Sequence, residues 1–329
     1  MNAVDLNHFQ FDRDLTWMSF FQNADGYTYA RYGGREDAAS ESHLTKQSLE
    51  KTMQRVLKLH DQQQVQPDSD FEPRGLAKLA AYDIPTMRQM MSKRKESCIH
   101  CHDIKTSQLR DLAQQGKLEK RMVYTYPSPS TFGLKIDSHD QTLVESVAAD
   151  SAAAVAGLQN GDRVVSMNGH RTITFGDMTR ALELVSIDGG DVDVKFVRGD
   201  KLQTARVSLK PNWRATGDPS WRSSTGVVGP SSGFWGFKVK PEDREKLGIA
   251  DDKLAVRVNF LWGQWTKDAG IKHGDTVVRI GDNTADMTIR QLQAYLQMNF
   301  EYGAPVEVEV LRNGKRQSMK MTLPDRPDD

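Results

Sequence analysis

Cys98 and Cys101 are the only two cysteines in the sequence. They stand three apart in "ESCIHCHDIK", and His102 follows at once. Cys-x-x-Cys-His is the spacing for covalent attachment of haem c. Two thiols about a helical turn apart add across the two vinyl groups, and the adjacent imidazole lies under the iron as axial ligand. Met90 and Met91, just upstream, are candidates for the sixth ligand, in a cluster that also holds Met87; Met122 lies downstream. Methionines at helical spacing also serve as core filler. Three other readings compete. The pair could be redox-active. It could hold zinc, but a structural zinc site wants four ligands. Cys98, Cys101 and either His100 or His102 supply three, and there is no second cysteine pair. Or the two thiols are simply free in a helical hairpin.

The flanks suit a small helical insert over 83–126. "DIPTMRQMMSKRKE" starts a helix near Pro85, a residue favoured in the first helical turn. "KTSQLRDLAQQG" predicts a second helix that stops at Gly116.

The second half repeats itself. "AGLQNGDRVVSMNG" from Ala156 matches "AGIKHGDTVVRIGD" from Ala269, pairing Gly157 with Gly270, Gly161 with Gly274, and Asp162 with Asp275. "VDVKFVRGDKLQTARVSL" from Val192 matches "VEVEVLRNGKRQSMKMTL" from Val306. The units open with "TFGLKI" from Thr131 and "FWGFKV" from Phe234. Two copies of this length are an internal duplication. Each reads as an opening strand, a small-residue turn, a Gly-Asp turn into a strand, a helix and a closing hairpin. Met178 and Leu182 share one helix face, as do Leu292 and Leu296. The second copy carries an insert, "PEDREKLGIADDK", after its opening strand. Trp262 and Trp265 stand where the first copy has small residues, as buried packing or as a contact surface.

This pattern resembles the PDZ domain in its bacterial arrangement, over residues 130–211 and 233–324. The resemblance implies an extended peptide added as a strand beside an apolar helix. Backbone N–H groups of Phe132, Gly133 and Leu134, and of Trp235, Gly236 and Phe237, would capture a peptide's C-terminal carboxylate. Met178, Leu182, Leu292 and Leu296 would line the groove or, equally, the core. The Gly-, Pro- and Ser-rich stretch 212–232 reads as a linker. Its Trp213 and Trp221 predict that it packs on a domain.

Residues 1–60 read as a hairpin, Leu15 to Phe21 and Tyr27 to Tyr32, then a helix capped by Thr45 with Leu49, Met53, Val56 and Leu57 on one face. This resembles the C-terminal half of a thioredoxin fold. Asp14 stands where that family has a proline, and the half that would carry the redox pair is absent. Cys98 and Cys101 follow the last helix, the wrong place for that pair. A half-fold leaves sheet edges uncovered, so the expectation is that the natural protein starts upstream of Met1. Residues 61–82 are polar and linker-like.

The expected fold class is therefore multidomain α+β. The whole chain resembles a bacterial family of thioredoxin-plus-PDZ proteins, some of them selenoproteins. The resemblance of the cysteine motif to c-type haem attachment sites implies a periplasmic or otherwise extracytoplasmic protein, although the N-terminus shows no export signal.

Lys+Arg and Asp+Glu both number 44 in 329 residues. This balance shows none of the basic excess of a nucleic-acid binder. No apolar run approaches the roughly 18 residues of a membrane span. Three functions follow as expectations. The first is a haem-carrying redox or sensor protein with an electron-transfer partner, whose PDZ units dock peptide or protein C-termini. The second is a PDZ adaptor without cofactor. The most distant is an accessory part of a periplasmic protease system. No Gly-x-Ser-x-Gly stretch or catalytic triad is evident.

Overall fold

The computed structural model describes residues 1–2, 4–62, 76–93 and 98–326. Most of the 61–82 linker lies outside them. The chain forms two compact units, Met1–Asp218 and Pro219–Asp329.

In the first unit, β1 (Ser19–Gln22) and β2 (Thr28–Tyr32) form the expected hairpin. α1 (Lys46–Asp61) follows, and the Thr45 hydroxyl accepts the Ser48 N–H at 3.1 Å as its cap. The buried face of α1 differs from expectation. Met53 and Leu57 are exposed, whereas Ser48 and Thr52 are buried. The Tyr32 hydroxyl meets the Ser48 hydroxyl at 2.7 Å, so hydrogen bonding decides which side of α1 turns inward. α2 (Pro85–Ser92) and α3 (Cys101–Gln114) pack on each other around Met87, Met91, Ile99 and Ile104.

The rest of the first unit is β3 (Leu134–Ile136), β4 (Val144–Val147), α4 (Ala152–Val155), β5 (Arg163–Met167), β6 (His170–Arg171), α5 (Phe175–Glu183), β7 (Gly190–Arg198) and β8 (Lys201–Leu209). β3 pairs with β4, and β6-β5-β7-β8 form a second sheet. Trp213 is buried in this core. The second unit repeats the order: β9 (Phe234–Lys238), an inserted α6 (Pro241–Leu247), β10 (Val256–Leu261), α7 (Gln264–Asp268), β11 (Thr276–Ile280), α8 (Ile289–Asn299), β12 (Pro305–Arg312) and β13 (Lys315–Thr322). Its sheet runs β13-β12-β11-β10-β9, so β9 is an edge strand among the described residues.

The repeated sequence has a physical reason. Arg198 donates to both carboxylate oxygens of buried Asp162 at 2.7 Å, and to the Gly157 carbonyl at 2.8 Å. Arg312 does the same to Asp275, at 2.7 and 2.6 Å, and to Gly270 at 2.7 Å. A planar guanidinium matches a carboxylate in this forked way. Gly161 and Gly274 both turn the chain at φ +87, a left-handed conformation that glycine enters without strain.

Candidate functional site

The site begins at the glycine that opens each copy. Gly133 has φ +92, and its carbonyl accepts the Ala148 N–H at 2.9 Å, tying it to the end of β4. A side chain there would run into Ser151. Leu134 follows, fully buried, and opposes Val147.

The matching geometry in the second copy is at Gly233, not Gly236. Gly233 has φ +77, and its carbonyl accepts the Trp262 and Gly263 N–H groups at 3.0 and 2.9 Å. Phe234 follows, fully buried, and opposes Leu261 at the end of β10. The equivalents of Phe132, Gly133 and Leu134 are therefore Ser232, Gly233 and Phe234. Trp235, Gly236 and Phe237, expected in the loop, instead lie within β9 and pair with β10. Gly236 is a glycine for another reason: a Cβ would sit 2.3 Å from the Arg257 carbonyl oxygen.

One further expectation is corrected and one open alternative is decided. The Gly133 N–H donates to Ser130 O at 3.0 Å, inside its own turn, so it does not point outward as a carboxylate donor. Met178, Leu182, Leu292 and Leu296 are fully buried within the two cores, because their i,i+4 stripe faces the sheets. On α8 the residue beside this stripe is Gln293. It donates to Phe234 O at 3.0 Å and accepts the Ser232 N–H at 3.0 Å, bridging helix and loop.

Residues 130–209 match the family model for the PDZ domain. This segment is a PDZ domain. A protein of Mesorhizobium japonicum described as a zinc metalloprotease is 51% identical over 57 residues, 17% of this chain and 14% of that protein. A DegP-like periplasmic serine endoprotease of Pseudomonas savastanoi pv. phaseolicola is 27% identical over 188 residues, 56% of this chain and 37% of that protein. Among solved structures, the HtrA-type protease AlgW with a decapeptide matches at TM-score 0.29 and 16% identity, over 53% of this chain and 52% of that one. The chain spans a minor part of the length of these curated relatives. The haem redox reading, expected first from sequence, draws no support from these relatives. Among the described residues no helix is long and apolar enough to cross a membrane.

The PDZ helix α5 is buried all round, because the N-terminal hairpin docks on it. The Arg31 N–H donates to Asp177 at 2.9 Å, and the Thr174 hydroxyl donates to Arg31 O at 2.5 Å. Gly176 lets the backbone of residues 31–33 lie directly on the helix. His43 stacks on Phe175 with ring centroids 3.6 Å apart. Ser128, which caps the turn leading to Gly133, donates to Glu36 at 2.5 Å, and His43 Nε2 lies 3.4 Å from the same carboxylate.

Two carboxylates in this contact titrate in opposite senses. Burial raises the Asp177 carboxyl to about 6, against the opposing pull of Arg31. Burial also raises Glu36, but His43, Ser128 and Ser130 outweigh it and hold it down at about 2. The fold takes up a proton at Asp177, so that stabilisation is fullest below the ordinary value of 3.8 and is lost as pH rises through about 6. Glu36 stabilises above its ordinary 4.5, and that is lost as pH falls towards about 2. Thermal denaturation across pH is expected to show stability rising on acidification from pH 7 towards about 5 and falling again in stronger acid. Asp177→Asn should flatten the upper limb and Glu36→Gln the lower. An unchanged upper limb in Asp177→Asn would remove this assignment.

The cysteine motif lies elsewhere in the first unit. Cys98 is exposed before α3, Cys101 is its first residue, and both thiols are free. His102 is half exposed, its ring stacked with that of His100 at 5.6 Å. Met91 is buried against Ile99 and Ile104, and Met90 packs on the same cluster. Cys98 thus opens onto solvent, and the methionines offered as sixth ligands are packed in the apolar cluster behind it. The residues present do not fit a preformed haem site. Among the described residues no group of three His, Cys, Asp or Glu side chains gathers to hold a metal. Burial pushes the Cys101 thiol up, away from the thiolate a redox pair needs. Exported into cells with haem-attachment machinery, the chain is expected to give no c-type band in a pyridine haemochrome spectrum after denaturation. A band absent from Cys98→Ala/Cys101→Ala would reverse this conclusion.

Proposed function

We propose that the chain is a peptide-docking component of an extracytoplasmic proteolysis system, with residues 233–324 forming a second PDZ unit. The observation that carries this reading is the repeated geometry at Gly133 and Gly233. A left-handed glycine, capped by the end of the following strand, launches a short strand beside a helix in each copy. In the second copy that strand ends the sheet; Phe234 already bonds to Ser232 and Gln293, so an added peptide strand would pair with backbone groups farther along β9. The PDZ match over residues 130–209 and the similarity to a DegP-like periplasmic protease support the protease setting. In this role the chain captures extended chain ends and presents them; cleavage belongs to a partner.

Fluorescence polarisation with labelled peptides bearing free C-termini tests the reading. Binding is expected to be saturable, to weaken on C-terminal amidation, and to be lost in Gly233→Val. A side chain there meets both a strained φ and the Thr266 and Trp265 side chains. Absence of binding across a diverse set of C-terminal peptides would overturn the proposal.

A further inference from the structure

The duplication supplies an internal control for one surface. With Gly133 matched to Gly233, Lys135 corresponds to Trp235, Asp137 to Phe237, Ser146 to Phe260 and Ala148 to Trp262. The first copy has an ordinary solvated face there: Lys135 pairs with Glu145 at 3.0 Å and lies opposite Ser146. The second copy places four aromatics at the same positions. Trp235 lies directly opposite Phe260, and Phe237 follows two residues on, so the three share one face of β9–β10. Phe260 stacks with Trp262 at 6.1 Å. Phe237, Phe260 and Trp262 are 63%, 59% and 43% exposed. The other copy forms the same strands without these rings; of the four, Trp235 is partly buried against the core of the second unit.

Two cations border the rings. Arg257 lies opposite Phe237 on the same face, and Arg290 reaches from α8 to within 5.7 Å of the Trp235 ring centroid. Neither has a carboxylate partner among the described residues. Arg290 also links the face to α8, which lies beside β9 at the edge of the sheet. An extended peptide added to that edge turns every second side chain onto this face. Aromatic side chains there would stack on the rings, and carboxylates would meet the two guanidiniums.

We propose that the second unit selects extended peptides whose alternate side chains are aromatic and acidic, read by Trp235, Phe237, Phe260 and Trp262 with Arg257 and Arg290. This rests on the peptide-docking reading above and names the partner of its second unit. The selection is a property of the outer face of β9–β10, and the first unit lacks it.

The test uses the full chain and fluorescein-labelled decapeptides with free C-termini. The first probe has threonine at odd positions and phenylalanine and glutamate in turn at even ones. The second has serine at all even positions. The wild-type chain is expected to bind the first probe at least about tenfold more tightly. Trp235→Lys/Phe260→Ser, which installs the first copy's residues, should bind both probes alike, at the wild-type affinity for the serine probe. Phe260→Ser alone, a smaller change, should lose part of the preference. Equal wild-type affinities would overturn this inference and leave peptide docking intact. A preference that survives in the double variant would also overturn it. If neither probe binds, and the diverse C-terminal set also fails, both proposals fall together.

Discussion

Gly176→Arg is expected to detach the N-terminal hairpin from the PDZ helix while the PDZ domain itself stays folded. Arginine is the residue that the second copy carries at the equivalent place, Arg290 on α8, counted from the capping threonines Thr174 and Thr288. On helix propensity alone the change should stabilise α5 by about 1 kcal/mol. The contact outweighs this. A Cβ at 176 would sit 2.3 Å from the Arg31 carbonyl oxygen and 3.0 Å from that of Gly33, and backbone cannot move aside as a flexible side chain can. Relieving the clash means giving up the Arg31–Asp177 and Thr174–Arg31 bonds, each worth about 1 kcal/mol net, and exposing a buried ion pair. A loss of roughly 3 kcal/mol in the stability of the docked hairpin is expected, read as faster proteolysis within residues 34–45 and a lower melting temperature. Proteolysis at the wild-type rate would show that the hairpin holds by other means.

Arg244→Ala should have a comparable effect on the second unit. The sequence insert "PEDREKLGIADDK" forms α6 and a return loop, and Arg244 is the buried post on which both are hung. Its guanidinium donates to the carbonyls of Val239, Ala250 and Lys253 at 3.1, 3.0 and 2.7 Å, and to Asp286 at 2.5 Å. Alanine would leave three carbonyls short of a donor in a place water reaches poorly. Asp286 keeps Lys238, so the carboxylate is not orphaned. A cost of about 3–5 kcal/mol follows from breaking one side of a buried charged network. Hydrogen exchange should show it as lost protection in β9 and β10, next to the small cluster of Val239, Ile249, Ala255 and Val278. Unchanged protection would mean that this apolar cluster, rather than the arginine, anchors the insert.

The parts of this molecule that were legible in the sequence are those that repeat a local constraint. The Gly-Asp turns and their distant arginines recur because each copy must satisfy a buried carboxylate, and spacing alone reveals them. The register of the second opening strand was not legible. Gly233-Phe234 and Gly236-Phe237 offer the same glycine–apolar step. The choice between them depends on which carbonyl caps the end of β10, a contact far along the chain. The exposed apolar stripe of α1 was misread for a related reason. A tyrosine hydroxyl from β2 selects a serine on the helix, and periodicity counts only apolar residues. Docking of the hairpin on α5 brings together positions 146 apart, Arg31 and Asp177. The one local trace was Gly176-Asp177 in a helix whose duplicate reads Arg290-Gln291. At the cysteine motif the reverse holds: the local pattern is sharp, but the neighbours that would complete a haem site are turned to packing.

The open edge of β9 has a colloidal consequence. A strand with unpaired backbone and aromatic neighbours is a template on which like chains can stack end over end. What restrains it here is the irregular register between Val258 and Phe260, which bends the ribbon at Asn259, together with the charges of Lys238 on β9 and of Arg257 beside it on β10. Excising Asn259 would straighten that ribbon, and solutions of the shortened protein should turn turbid at concentrations where the parent stays clear.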